Sequence, residues 1–219
     1  MYKCCIFDLD GTLINTIHAL NRTINLTLER LGYGPVDEDQ TRIFVGDGYR
    51  KFVERALISR GDKELADLEQ ALAVYREVFE DNCLYRIEAY DGMRELLAFL
   101  KEKGVKTAVL TNKAHAQAVD NIEAVYGKGY FDLITGEQAG LKRKPDPDGA
   151  FYTARTLGVR PEECLYFGDT NTDMRTGIAA GMDTVGVTWG FRDREELEAF
   201  SPRYIVDDPH QVIGILARI

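Results

Sequence analysis

Asp8 and Asp10 stand two residues apart just after the apolar run Lys3 to Phe7, in the segment Asp8-Leu9-Asp10-Gly11-Thr12. A second acidic pair, Asp169 and Asp173, lies in Gly168-Asp169-Thr170-Asn171-Thr172-Asp173, again directly after an apolar run, Cys164 to Phe167. Carboxylates gathered at one place repel one another unless they are protonated or share a cation. Hard divalent ions prefer such oxygens, and Mg²⁺ takes one or two carboxylates while leaving room for waters and a substrate phosphate. Two further polar segments follow apolar runs: Thr111-Asn112 and Lys142-Arg143-Lys144-Pro145. Each segment alone reads as an ordinary turn, helix cap or solvated charge run. Their order, each after its own apolar run, suits phosphoryl chemistry if the fold brings the run ends together.

The elements that would do so are legible as an alternation. Short apolar runs at Lys3 to Phe7, Val105 to Leu110, Phe131 to Ile134, Cys164 to Phe167, Thr184 to Val187 and Tyr204 to Val206 read as strands. Helical patterns separate them, among them Asp148 to Leu157 and a helix capped by Asp91 that runs through Leu96, Leu97 and Leu100 to Gly104. This rhythm predicts an α/β fold, a doubly wound Rossmann-like parallel sheet. In such a sheet the carboxyl ends of the central strands converge on one crevice.

Between the first and second strands the rhythm changes. Ile17, Leu20, Ile24, Leu28 and Leu31 recur at helical spacing from Ile14 to Gly32. After a loop containing Pro35, a second helix is expected from Tyr49 to Ser59 on Phe52, Val53, Ala56 and Leu57, and a third on Leu65, Leu68, Leu72, Tyr75 and Phe79. The sequence thus predicts a helical unit at 15–85 inserted into an α/β core formed by 1–14 and 86–219.

Composition narrows the function. The chain has 219 residues, 45% of them apolar and 29% charged, which is enough for a sizeable core. Its 27 Lys and Arg against 36 Asp and Glu give a formal charge of -9, which opposes a broad grip on nucleic acid or anionic lipid and points to a small partner. No run approaches the roughly 18 apolar residues of a membrane span, and no signal peptide is visible. Cys4, Cys5, Cys83 and Cys164 form no C-x-x-C pair, and adjacent Cys4 and Cys5 point to opposite faces of a strand. They read as reduced thiols, and the chain as cytoplasmic.

Asp8-Leu9-Asp10-Gly11-Thr12-Leu13, Leu110-Thr111-Asn112, Lys144-Pro145-Asp146-Pro147 and Gly168-Asp169 with Asp173 resemble the four motifs of the haloacid dehalogenase-like hydrolase superfamily. The helical insertion is similar to that superfamily's C1 cap, and Trp189-Gly190-Phe191 to a segment near the end of the same subfamily. Phe44-Val45-Gly46-Asp47-Gly48 with Val53-Glu54-Arg55-Ala56-Leu57 resembles the cap of bacterial phosphoglycolate phosphatases. The resemblance implies a phosphoric monoester hydrolase that acts on a small phosphorylated metabolite. Asp8 would be the nucleophile and Asp10 the acid and base, with Thr111 and Lys144 as catalytic phosphoryl-binding groups. Mg²⁺ would be held by Asp8, Asp10 through its backbone carbonyl, Asp169 and Asp173. Gly11 and Asn112 would add backbone donors to the phosphate, and Gly46 and Arg50 would meet the substrate from the cap. The chain departs from the pattern at Asn15, Thr16 and Asp47, where Asp, Ser and Asn are common. A β-phosphoglucomutase-like phosphomutase, a pyrophosphatase and a noncatalytic phosphate-binding module are the competing readings.

Overall fold

The structure is a computed structural model that describes residues 2–217. Six parallel strands form the central sheet: β1 (Cys4–Phe7), β4 (Lys106–Ala114), β5 (Leu133–Glu137), β6 (Cys164–Gly168), β7 (Asp183–Val187) and β8 (Tyr204–Val206), in the order β5-β4-β1-β6-β7-β8. Two short strands, β2 (Ile14–Asn15) and β3 (Glu88–Ala89), pair antiparallel as a separate ribbon. Every residue of β1 and β6 is buried, as a strand covered by helices on both faces requires. Alternation divides the core between those faces. Cys4, Ile6, Cys164 and Tyr166 join Leu110, Ala150, Ala154 and Met182 in one cluster. Phe7 and Phe167, paired in register, stack at 4.5 Å.

The chain forms two compact units, one comprising residues up to Asn15 together with those from Glu88 onward, the other Thr16–Ile87. The second unit is helical: α1 (Ile17–Arg30), α2 (Glu38–Phe44), α3 (Tyr49–Ser59) and α4 (Leu68–Asn82). The Ile, Leu and Ala stripe of α1 is buried, and Tyr75 of α4 packs edge-on against Phe52 of α3. The first unit carries α5 (Met93–Glu102), α6 (His115–Tyr126), α7 (Asp148–Thr156), α8 (Asn171–Ala179), α9 (Arg194–Glu198) and α10 (Pro209–Leu216).

Several boundaries differ from the sequence pattern. The helix expected from Ile14 begins at Ile17, because Ile14 and Asn15 pair with Ala89 and Glu88. A fourth helix, α2, stands where a loop is expected; Asp37 caps it by accepting from the Gln40 N–H while the Gln40 side chain accepts from the Asp37 N–H. Leu65 lies outside α4 with a positive φ of 57°. The residue that caps α5 is Gly92 rather than Asp91. β5 begins at Leu133, since Phe131 packs instead on the Tyr126 and Tyr130 rings.

Candidate active site

β1, β4 and β6 lie side by side at the centre of the sheet, so their carboxyl ends deliver Asp8, Thr111 and Asp169 to one place. The Asp8 N–H donates to Phe167 O at 2.9 Å, which ties the first polar loop to β6. That loop turns tightly, the N–H groups of Thr12, Leu13 and Ile14 all converging on Leu9 O. Two distant side chains hold it from outside: Trp189 Nε1 donates to Thr12 O at 3.0 Å and the Tyr126 hydroxyl to Leu13 O at 2.7 Å.

Lys144 is buried at the centre. Its Nζ stands 2.8 Å from Asp8 Oδ1 as an ion pair and donates to Asp173 Oδ1 at 2.7 Å. Asn112 clamps the backbone that carries it, donating to Lys144 O at 3.0 Å and accepting from the Lys144 N–H at 2.8 Å. The expected phosphate contact of Asn112 therefore rests on its main-chain N–H. Thr111 does not cap α6, because its hydroxyl accepts from the Lys113 N–H at 3.2 Å. Lys142 and Arg143 are not part of this centre: Lys142 pairs with Asp146 and Asp148, and Arg143 with Glu137.

Asp169 is fully buried and accepts at both oxygens, from the Thr12 hydroxyl at 3.1 Å and from the Phe191 N–H at 2.7 Å. This explains physically why Trp189-Gly190-Phe191 belongs to the site. A Cβ on Gly190 would lie 2.3 Å from the Asp169 Cβ and 2.4 Å from Gly11 O, so nothing larger than glycine fits where these segments cross. Asp173 is gripped by the Thr170 N–H at 3.1 Å and the Thr170 hydroxyl at 2.6 Å, at the start of α8.

The result is three buried carboxylates, Asp8, Asp169 and Asp173, whose ligand atoms lie within 4.8 Å of one another, against one buried ammonium. Burial, then the charge of Asp173, pushes the Asp8 carboxyl up to about 7, with Lys144 opposing. Asp169 is also held well above the usual carboxylate range by burial and by Asp173 and Asp8, against the pull of Phe191 and Thr12. Burial acts against the charge on Lys144, but Asp173 and Asp8 outweigh it and hold the ammonium well above its ordinary pKa. All-oxygen donors with an excess of negative charge are the donor set of a hard divalent cation.

The raised carboxyls make stability depend on pH. The folded protein binds their protons more tightly than the unfolded chain does, so stability without metal rises as pH falls through about 7. Between pH 8 and pH 6, in EDTA, the gain from Asp8 alone is about 1 kcal/mol, or about 2 to 4 °C in Tm. Saturating divalent cation replaces the proton and flattens this slope. A metal-free Tm that falls over the same interval would contradict the assignment.

Asp10 lies outside the carboxylate triad. Its Oδ1 accepts from Lys113 Nζ at 2.8 Å, in a pair whose side chains are only 15% and 7% exposed. Lys113 is a site residue that the sequence pattern does not single out, since its partner is 103 positions away. Gly46 and Arg50 belong to the helical unit. Arg50 there pairs with Glu69 at 2.7 Å and Glu54 at 3.5 Å, while Asp47 pairs with Arg55. The four cysteines are buried free thiols. No described helix is long and apolar enough to cross a membrane.

Residues 5–187 match the family model of the haloacid dehalogenase-like hydrolases. The chain is 32% identical over 209 residues to phosphoglycolate phosphatase of Pseudomonas putida, covering 94% of this chain and 76% of that one. It is 34% identical over 202 residues to phosphoglycolate phosphatase of Mesorhizobium japonicum, covering 92% and 88%. A crystal structure from Lactobacillus delbrueckii subsp. bulgaricus matches at a TM-score of 0.89 and 30% identity, over 96% of each chain.

Proposed function

The chain belongs to the haloacid dehalogenase-like hydrolases, and from that premise we propose that it is a Mg²⁺-dependent phosphatase of small phosphomonoesters, with 2-phosphoglycolate its leading substrate. The observation that carries this reading is the buried cluster of Asp8, Asp169, Asp173 and Lys144 with Asp10 beside it. The names of the relatives from Pseudomonas putida and Mesorhizobium japonicum support the substrate. We read Thr16–Ile87 as the C1 cap, with Gly46 and Arg50 as its substrate-facing candidates. The chain's four buried free thiols support a cytoplasmic setting.

Asp8 attacks phosphorus, forming a bond from its carboxylate oxygen while the bond to the leaving oxygen breaks. Asp10 gives its proton to that oxygen, so an alcohol departs. In the second half Asp10 takes a proton from water as the water attacks phosphorus, which frees inorganic phosphate and restores the Asp8 carboxylate. Lys144 and the Thr111 hydroxyl bind phosphoryl oxygens throughout, Lys144 also tempering the charge of the nucleophile. Asp8, the backbone carbonyl of Asp10, Asp169 and Asp173 would hold Mg²⁺. When bound, it offsets the repulsion between the carboxylate and the phosphate dianion.

The test is phosphate release from 2-phosphoglycolate, β-glucose 1-phosphate and pyrophosphate, with Mg²⁺ and with EDTA. Expected is a lead for 2-phosphoglycolate of about 100-fold in kcat/KM, equivalent to about 2.7 kcal/mol, and loss of release in EDTA. A flat profile would keep the phosphatase and remove the substrate, while release from none of them would remove both.

A further inference from the structure

We infer that Lys113 is a specificity determinant that binds an anionic group on the leaving-group side of the substrate, a carboxylate one carbon from the ester oxygen. The inference rests on the phosphatase reading and adds a recognition element on the core unit itself.

The site contains two lysines of low exposure with separate stations. Lys144 is committed to the nucleophile end, between Asp8 and Asp173. Lys113 stands at the other end, its ammonium 2.8 Å from Asp10 and its side chain only 7% exposed. Its position is built rather than incidental. The register of β4 against β5 shifts between Leu110 and Ala114, so residues 111–113 depart from the regular ladder at the strand end. The Lys113 N–H is tied to the Thr111 hydroxyl and its Nζ to Asp10. An isolated surface pair would contribute little, but one removed from water acts at low dielectric and holds its geometry.

The chemistry of the ester does the rest. The leaving oxygen must meet Asp10, because Asp10 supplies its proton. In a carboxymethyl phosphate the carboxylate carbon is two bonds from that oxygen, so it arrives beside whatever cation flanks Asp10, and that cation is Lys113. An ammonium carries three N–H donors and can hold two carboxylates together. The need is strong, since the cleft already holds Asp8, Asp10, Asp169 and Asp173 and would repel a second anionic group that met no cation. A neutral leaving group makes no such demand, so Lys113 discriminates between esters.

The experiment compares 2-phosphoglycolate with its carboxamide analogue, which has the same shape without the charge, in the Mg²⁺-loaded full chain. Wild type is expected to prefer the carboxylate, and Lys113→Met to cut the kcat/KM ratio of the two esters by on the order of 10- to 100-fold, the weight of one charge-assisted hydrogen bond. Lys113→Arg should keep the preference within a few-fold. An equal loss on both esters, leaving the ratio intact, would show that Lys113 only positions Asp10 and would overturn the inference while sparing the substrate reading. A wild-type ratio near one would overturn both. Should Lys113→Met fail to fold, Lys113→Gln carries the same comparison.

Discussion

Asp8→Asn is expected to lower kcat by at least about 10⁴-fold, the scale on which loss of a nucleophile removes a covalent pathway, without unfolding the protein. The amide matches the carboxylate in shape but cannot displace an alkoxide from phosphorus. The same substitution should raise Tm in EDTA at pH 8 by on the order of 10 °C, since a carboxyl held at about 7 instead of 3.8 costs up to about 4 kcal/mol when ionised. Asp8 is a buried acid held up at about 7 by burial and by Asp173, so at pH 8 its ionised form opposes folding, and the neutral amide escapes that cost. The variant should also gain less Tm from Mg²⁺ than wild type, because one carboxylate has left the cation's donor set. Phosphate release assayed beside thermal unfolding with and without metal checks all three. An active Asp8→Asn enzyme would remove the aspartyl-phosphate mechanism. A variant destabilised in EDTA would mean that the Lys144 pair outweighs the burial cost of Asp8.

Asp8 and Asp169 are legible in sequence as candidate site residues because each directly follows a strand buried on both faces, and such strands are written as unbroken apolar runs. Other features left weaker marks. Only Thr41 is buried in α2, so this helix has no apolar stripe; its signal is the reciprocal capping of Asp37 and Gln40 instead. β2 and β3 are two residues each, too short for any alternation to register. Trp189 to Phe191 stood out only through family resemblance. Their work is to hold the Thr12 carbonyl and the Asp169 carboxylate, contacts made across 177 and 22 positions that no local pattern encodes. Lys113 escaped for the same reason, its charge being meaningful only once β4 is laid beside β1. Asn112 was legible as a site residue but not as the clamp on Lys144, because the clamp joins two loops 32 positions apart.

Lys144→Met is expected to be the most damaging change to the site as a structure, because its ammonium is the charge that holds Asp8 and Asp173 together. Methionine fills the space of the side chain but supplies no charge, leaving Asp8 and Asp173 to face each other in a buried cleft. Removing one partner from a buried ionic cluster costs about 3 to 5 kcal/mol, which for a chain of this size lowers Tm by on the order of 10 °C. The deficit should be largest at pH 8 in EDTA and smaller at pH 6, because without Lys144 the Asp8 carboxyl is driven further above 7 and protonation relieves the repulsion. Mg²⁺ should recover part of the lost stability by supplying the missing positive charge. Activity should still fall by about 10²- to 10³-fold, since a fixed donor to the phosphoryl group is gone. Lys144→Arg should not rescue it: a planar fork needs different room from a point charge, and the backbone at this position is pinned by one hydrogen bond donated to Asn112 and one accepted from it. Thermal unfolding of the three proteins at pH 8 and pH 6, with and without Mg²⁺, separates these effects. A Lys144→Met deficit independent of pH would place the cost in packing rather than in the unmatched carboxylates.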